Sequence, residues 1–177
     1  MTVFEAIKAR TSYRGDYKST AVPRDDIVKI MEAGLAAPSG CNMQTTSLIA
    51  VDDSTLLRRL HEVIQPQVAV TAPAMICVLT QATVAYGGKC FNVQDYSAVI
   101  ENMLLAIIDL GYQSCWFEGQ ITDVDKIGRK MADILGVPDD YELVCLLPIG
   151  IADEPVKGAK KMPFRERAWL NGYKKPF

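Results

Sequence analysis

The sequence has no excess of positive charge, because 19 lysines and arginines are offset by 21 aspartates and glutamates, for a formal net charge of -2. A phosphate backbone is normally bound by a basic surface, so we expect no nucleic-acid partner. Long hydrophobic runs are also missing, and the apolar segments are far shorter than the roughly 20 residues that cross a bilayer. The N-terminus lacks the apolar core of a signal peptide. We therefore expect a soluble, cytoplasmic protein without a membrane partner.

Histidine and closely paired cysteines are equally scarce. The one histidine, His61, falls in a helical pattern and is predicted to lie on a helix surface, and the five cysteines show no C-x-x-C spacing. A Cys-His nucleophile has little support, and we predict no metal site. Because no G-x-G-x-x-G segment occurs, a Rossmann nucleotide-binding domain is not expected either. Three cysteines in apolar, strand-like runs are expected to be buried free thiols, namely Cys77, Cys115 and Cys145.

What is present is an alternation of helical and strand-like segments. A capping box from Thr2 to Glu5 begins a first helix that ends near Arg10, and a second helix runs between Pro23 and Pro38. Further helices are predicted for STLLRRLHEVI with Ser54 as N-cap, DYSAVIENMLLAIIDLG with Asp95 as N-cap and DVDKIGRKMADILG, and strands for TSLIAVD, AMICVLT, QSCWFEG and YELVCLLPIGIA. This order predicts an α+β domain with α/β-type layers around one central sheet. Its length fits a single domain, 1–177, in which 153–177 form an extended, basic and aromatic C-terminal arm.

The segment RTSYR, at the end of the first helix, is the first candidate for binding chemistry. Arg10 and Arg14 lie one helical turn apart with Ser12 between them. Two guanidinium groups and a hydroxyl can converge on one phosphate. Two solvated arginines near a helix end are the alternative, and the segment alone does not decide between them.

The loop PSGCNMQ is the second candidate. It offers Ser39, Asn42 and Gln44 as hydrogen-bonding side chains, while Gly40 permits close approach to the backbone. These groups suit a flat heterocycle with several carbonyl and amine edges. A helix-ending loop that satisfies its own amides remains an equally good interpretation at this point.

Four segments, taken in their order and spacing, resemble the nitroreductase family of FMN-dependent oxidoreductases: AIKARTSYR, VPRDDIVKIMEAGLAAPSGCNMQ, DYSAVIENMLLAIIDLGYQSCWFEG and LGVPDDYELVCLLPIGIADEP. The resemblance covers nearly the whole chain. It implies a nitroreductase-like fold, with a central mixed, mainly antiparallel sheet flanked by helices. It also implies a homodimer with two FMN sites at the subunit interface.

The resemblance further implies which residues bind FMN. The start motif and one or two tail cations would hold the phosphate and ribityl chain, and the loop, partly from the other subunit, would line the isoalloxazine ring. Backbone N–H groups near Glu118 and Gly119 would face flavin N5, and an amide near Gln65 or Gln67 would bind the pyrimidine edge. The full set is Arg10, Thr11, Ser12, Arg14, Pro38, Ser39, Gly40, Asn42, Gln44, Gln65, Gln67, Glu118, Gly119, Lys160, Lys161 and Arg165.

The chain departs from the family pattern at three places. Relatives often carry a second arginine where Thr11 stands, an aromatic residue where this chain has TTS after the loop glutamine, and an arginine near Met162. These differences leave room for a rearranged phosphate clamp and a more polar pocket floor.

The implied activity is a ping-pong oxidoreduction, in which NAD(P)H gives hydride to flavin N5 and a small oxidised acceptor is then reduced. The acceptor class is a nitroaromatic, a quinone or a flavin-like molecule, and no catalytic side chain is required. Tyr86 and Phe91 are candidate substrate-stacking residues around a Gly87–Gly88 hinge, with ordinary loop packing as the alternative. A non-catalytic flavin carrier or redox sensor stays open, as does a thiol-based redox protein that relies on Cys41.

Overall fold

The computed structural model describes residues 1–64, 68–118 and 126–175, in which helices and strands alternate. The helices are α1 (Val3–Ala9), α2 (Arg24–Leu35), α3 (Ser54–Val63), α4 (Asn92–Asp109) and α5 (Ile127–Leu135). The strands are β1 (Thr46–Val51), β2 (Ala74–Thr80), β3 (Phe117–Glu118) and β4 (Glu142–Ile149). Short 3-10 turns occupy Gly40–Asn42, Tyr86–Gly88 and Phe164–Glu166.

The strands form one sheet in the order β1-β2-β4-β3, and every neighbouring pair is antiparallel. Among the residues that the structure describes, the parallel component of the expected mixed sheet is a bridge between Ser12 and Ser114. In the β2–β4 pair, Val78 lies opposite Cys145 and Leu79 opposite Leu143, so Val144 is an extra residue. This bulge turns Val144 and Cys145 toward the same hydrophobic layer.

The sheet separates two hydrophobic layers. On one face, α2 and α4 pack against alternate β2 residues such as Ile76, and on the other face α3 and α5 pack against neighbours such as Cys77. All seven β2 residues are buried, as expected for a strand covered on both sides. The shorter α1 packs against α4. The predicted α+β architecture, with helices on both sides of a mainly antiparallel sheet, is confirmed.

Most predicted element ends are correct, but three need correction. The Thr2 capping box is present. The N-cap of α3 is Asp53, whose side chain accepts from the Leu56 amide, and Ser54 is the first helical residue. The α4 helix begins at Asn92, so Asp95 lies inside it and is not its N-cap. Among the described residues of the predicted strand QSCWFEG, β3 comprises Phe117 and Glu118 and does not include Gln113 to Trp116.

The segment 153–175 extends over the surface with little regular structure beyond one 3-10 turn. Apolar side chains such as Phe164 and Tyr173 are largely exposed along it. The single-domain boundaries and the arm remain predictions. Within the described residues, no helix combines the length and apolar character that a membrane span requires.

Candidate functional site

The RTSYR segment is held against the residues that lead into β3. Ser12 bridges to Ser114, and the Tyr13 amide donates to the Ser114 carbonyl at 2.9 Å. Arg14 lies near Cys115, where its positive charge opposes the effect of burial, which raises the pKa of that thiol to about 11. The start motif and the approach to Glu118, which are far apart in sequence, therefore lie side by side.

Arg10 ends α1 as its C-cap residue and turns toward α4. Its Nε lies 3.8 Å from Oε1 of Glu101, with the two side chains 20% and 50% exposed. That distance is too long for a hydrogen bond, so the guanidinium keeps its donors available for another acceptor. Next to it, the buried Thr11 hydroxyl donates to the Lys157 carbonyl at 3.4 Å. Thr11 thus ties the start motif to the C-terminal segment.

The loop after α2 has an unusual backbone. Cys41, Asn42 and Gln44 all have positive φ angles, of 53°, 55° and 50°. A non-glycine residue in this region costs roughly 1–2 kcal/mol, less for asparagine, so the surrounding structure must hold the loop in place. Within the loop, the Gln44 amide donates to Oγ of Ser39 at 3.0 Å. The predicted flavin-side residues therefore share one compact and strained turn.

Phe91 leaves no room for a side chain at Gly40. A Cβ on Gly40 would lie 2.5 Å from Cβ of Phe91, well inside contact distance. The side-chain space of this glycine is therefore occupied by the ring that precedes α4. A predicted cofactor residue and a predicted substrate residue are thus brought together, and Phe91 packs against the loop.

Asp95 joins α4 to both sides of the same loop, and sequence analysis missed this role. The carboxylate is 2% exposed and accepts from the Gly40 amide at 2.7 Å and from the Thr45 hydroxyl at 2.8 Å. The Thr45 carbonyl in turn accepts from the Gln81 amide at 3.1 Å. The signal in the sequence was an aspartate at the start of a mainly apolar helical run.

A cavity of about 250 Å³ opens beside this loop, between α2, β1 and α4. Its lining includes Pro38, Ser39, Gln44 and Asp95. Thr46 also lines it, and the buried Thr46 hydroxyl has no hydrogen-bond partner among the described residues. An unpaired buried hydroxyl beside polar loop groups fits a ligand that brings its own hydrogen-bonding edge. The residues present therefore suit a polar heterocycle.

The β3 end of the predicted site is described as far as Glu118. This residue is exposed, lies opposite Cys145 of β4, and its Oε2 accepts from the Trp116 indole at 2.6 Å. Three predicted residues, Gly119, Gln65 and Gln67, lie outside the described residues.

The remaining predicted residues are on exposed segments. Tyr86 is 82% exposed in a turn where Gly87 and Gly88 both have positive φ angles, of 67° and 74°. The tail cations are exposed as well, namely Lys160, Lys161 and Arg165. The structure thus gathers the start motif and the loop around α4, and it places Tyr86 and the tail at the periphery.

A second cavity, of about 630 Å³, lies between α3 and the segment before β2. Its described lining contains none of the predicted site residues, although it includes His61 and Arg58. His61 was predicted to be a surface residue, which is wrong: it is buried, and burial lowers its pKa. The 250 Å³ cavity is the one lined by the predicted loop residues Pro38, Ser39 and Gln44, so we assign the candidate site there.

Comparison with known proteins decides which family this architecture represents. The family model of the nitroreductases matches residues 7–83 and 67–151. The chain belongs to the nitroreductase family. A protein from Archaeoglobus fulgidus, provisionally named NADH dehydrogenase/NAD(P)H nitroreductase, is 30% identical over 135 residues, which cover 76% of each chain.

Solved nitroreductase structures share the fold over nearly the whole chain. An FMN-dependent nitroreductase from Clostridium difficile R20291 superposes with a TM-score of 0.81 at 25% identity, covering 96% of this chain and 99% of that one. A nitroreductase with bound FMN from Bacteroides fragilis NCTC 9343 gives a TM-score of 0.78 at 26% identity, covering 97% and 100%. The family predicted from the four sequence segments is therefore confirmed.

Proposed function

We propose that this nitroreductase-family chain is an FMN-dependent oxidoreductase that takes hydride from NAD(P)H and reduces a small oxidised acceptor by a ping-pong mechanism. The observation that carries the proposal is that two segments contact α4: the cationic start motif, through Arg10 and Glu101, and the polar loop beside the cavity, through Gly40 and Asp95. The NAD(P)H nitroreductase name of the Archaeoglobus relative and the bound FMN of the Bacteroides structure support the same cofactors.

The start motif supplies the chemistry for a terminal phosphate. Arg10 has an available guanidinium, Ser12 has a hydroxyl two residues on, and Arg14 is exposed beside it. Charge-assisted hydrogen bonds to a phosphate contribute roughly 1.5–3 kcal/mol each. We propose that these three residues hold the FMN phosphate, completed by one or two cations of Lys160, Lys161 and Arg165.

The loop supplies the environment of the ring. Bound FMN provides the hydride chemistry, so the protein needs no acid, base or nucleophile at the reacting atom. We propose that Pro38, Ser39 and Gly40 line the ring edge and that Asn42 and Gln44 support it. Backbone donors near Glu118 and Gly119 would stabilise negative charge on the reduced ring, and Gln65 or Gln67 would bind its pyrimidine edge.

A homodimer completes the site in this proposal. Asp95, which holds the loop, and Glu101, which lies beside Arg10, are six residues apart on α4, about 9 Å along the axis and about 120° around it. The loop and the phosphate-binding residues Arg10, Ser12 and Arg14 of one chain thus approach different faces of α4. The 250 Å³ cavity is also smaller than typical ligand pockets of about 300–1,000 Å³.

Exposed apolar surface supports the same dimer. Phe4 and Ile7 of α1 are 76% and 51% exposed, next to the clamp. A monomer rarely leaves such neighbouring apolar side chains in water, so we propose that a second copy covers them. The apolar tail residues, including Phe164, would pack on that copy as well.

The acceptor side of the proposal rests on the segment around the 3-10 turn at Tyr86. We propose that Tyr86, on its glycine hinge, stacks on a flat acceptor, whereas Phe91 shapes the rim by packing on Gly40. A nitroaromatic, a quinone or a flavin-like molecule has the flat, oxidised ring that such a rim accepts.

Two measurements test the proposed function. Chromatography of the cofactor released by heat should give FMN, and release of FAD, or failure to bind FMN on reconstitution, would contradict the cofactor assignment. Steady-state rates at several fixed acceptor concentrations should give parallel double-reciprocal lines, as a ping-pong mechanism requires. Intersecting lines would instead indicate that NAD(P)H and acceptor bind together.

A further inference from the structure

The carboxylate of Asp95 joins the two sides of the strained loop. Its Oδ1 accepts from the Gly40 amide at 2.7 Å, and its Oδ2 accepts from the Thr45 hydroxyl at 2.8 Å. The side chain is 2% exposed and belongs to α4, which is packed into the main hydrophobic layer. Both loop contacts are thus made to one well-packed helix.

The segment between these two contacts contains the three residues with positive φ angles. Cys41, Asn42 and Gln44 take conformations that L-residues rarely adopt. Three hydrogen bonds within the loop close the turn: the backbone amide of Gln44 donates to Oγ of Ser39, that of Asn42 to the Ser39 carbonyl, and that of Met43 to the Gly40 carbonyl. Strained backbone of this kind persists where the surrounding structure holds it, and the two contacts of Asp95 tie both ends of the segment to α4.

We propose that Asp95 is a positioning residue of the flavin site, which holds the loop in its strained, binding-competent form through the Gly40 amide and the Thr45 hydroxyl. This inference rests on the proposed function, because the loop is the segment that lines the flavin ring there. Asp95 borders the cavity, but both of its carboxylate oxygens are engaged by the loop. It acts through Ser39, Gly40 and Asn42.

Three substitutions separate the hydrogen bonds from the charge. Asp95→Ala removes both contacts. Asp95→Asn is neutral but keeps both, since its oxygen can accept from Gly40 while its amide donates to the Thr45 hydroxyl, which accepts as well as donates. Thr45→Val removes one contact with little change of volume. Ile107→Ala, on the same helix and fully buried, is the matched control for lost stability without a loop contact.

The first readout is hydrogen exchange of the apo-protein, which does not depend on flavin. Asp95→Ala should abolish the protection of amides in the loop, including those of Gly40 and Gln44, whereas Asp95→Asn should keep it. Ile107→Ala should lower the melting temperature and leave loop protection unchanged. Unchanged loop exchange in Asp95→Ala would overturn the proposal, as would equal loss in the control.

The second readout is the dissociation constant of FMN, from fluorescence quenching. We expect an increase of about tenfold or more for Asp95→Ala, about threefold for Thr45→Val and less than about twofold for Asp95→Asn. If Asp95→Asn is as weak as Asp95→Ala, the carboxylate acts through its charge, and the positioning role is wrong. If wild type binds no FMN, the proposed function fails, and the exchange experiment alone decides whether Asp95 holds the loop.

Discussion

Replacement of Arg10 by alanine should weaken FMN binding much more than it weakens folding. The present partner of Arg10 is Glu101, with 3.8 Å between Nε and Oε1 and both side chains partly exposed. Such a pair contributes about 0–1 kcal/mol to stability. A charge-assisted bond from the same guanidinium to a phosphate contributes roughly 1.5–3 kcal/mol, so the dissociation constant of FMN should rise by about one to two decades.

The assay titrates apo-protein with FMN and follows the quenching of flavin fluorescence. Glu101→Gln is the matched control, because it removes the ion pair and leaves the guanidinium in place. It should bind FMN at least as well as wild type. An unchanged dissociation constant for Arg10→Ala would remove Arg10 from the site. Equal weakening in Glu101→Gln would show that the pair with Glu101, and no phosphate contact, explains the effect.

Three further outcomes are expected. Gly40→Ala should lower the free energy of unfolding by roughly 1–3 kcal/mol in chemical denaturation, because the added methyl group overlaps Phe91. Adding Phe91→Ala to the same chain should restore part of this loss, whereas Gly158→Ala, at a glycine with open space around it, should cost little. Equal losses for the two glycine variants would refute the packing explanation. Phe4→Asp should convert a light-scattering dimer to a monomer with less flavin, and a persisting dimer would contradict an interface on α1. At neutral pH no more than two of the five native thiols should react with a thiol reagent. Burial raises the pKa of Cys77 to about 12, that of Cys115 to about 11 and that of Cys145 well above its usual value, so these three stay protonated. A third reacting thiol would contradict this.

Local patterns predicted the elements well because their causes are local. The Thr2 capping box, the mainly apolar β2 and Gly111 after α4 are recognisable from residues within a few positions of one another. The same holds for the alternation of helices and strands, which gave the layered α+β architecture. These features depend on side-chain periodicity and on the backbone preferences of single residues.

Asp95 shows where local reasoning fails. An aspartate at the start of an apolar helical run is a good N-cap by its local chemistry. In the structure its two oxygens instead bind Gly40 and Thr45, which are 55 and 50 residues away in sequence. The helix begins three residues earlier, at Asn92. A tertiary hydrogen bond of this kind leaves no periodic signal.

Tertiary pairing also explains why β3 is shorter than predicted. Gln113 and Ser114 look like strand residues, but they pair with Gly150 and Ser12 outside the named strands. The candidate site follows the same division. The residue types in its two segments were visible in the sequence, whereas the contact of Gly40 with Phe91 and the place of both segments on α4 required the fold.

Anaerobic stopped-flow reduction of the FMN-loaded protein by NAD(P)H tests the central claim most directly. The proposed oxidoreductase should lose its visible flavin absorption band within the time of a turnover and regain it when a quinone or nitroaromatic acceptor is mixed in. A flavin band that persists under excess NADH and NADPH, in protein that holds FMN tightly, would contradict an NAD(P)H-dependent enzyme and indicate a flavin carrier or sensor.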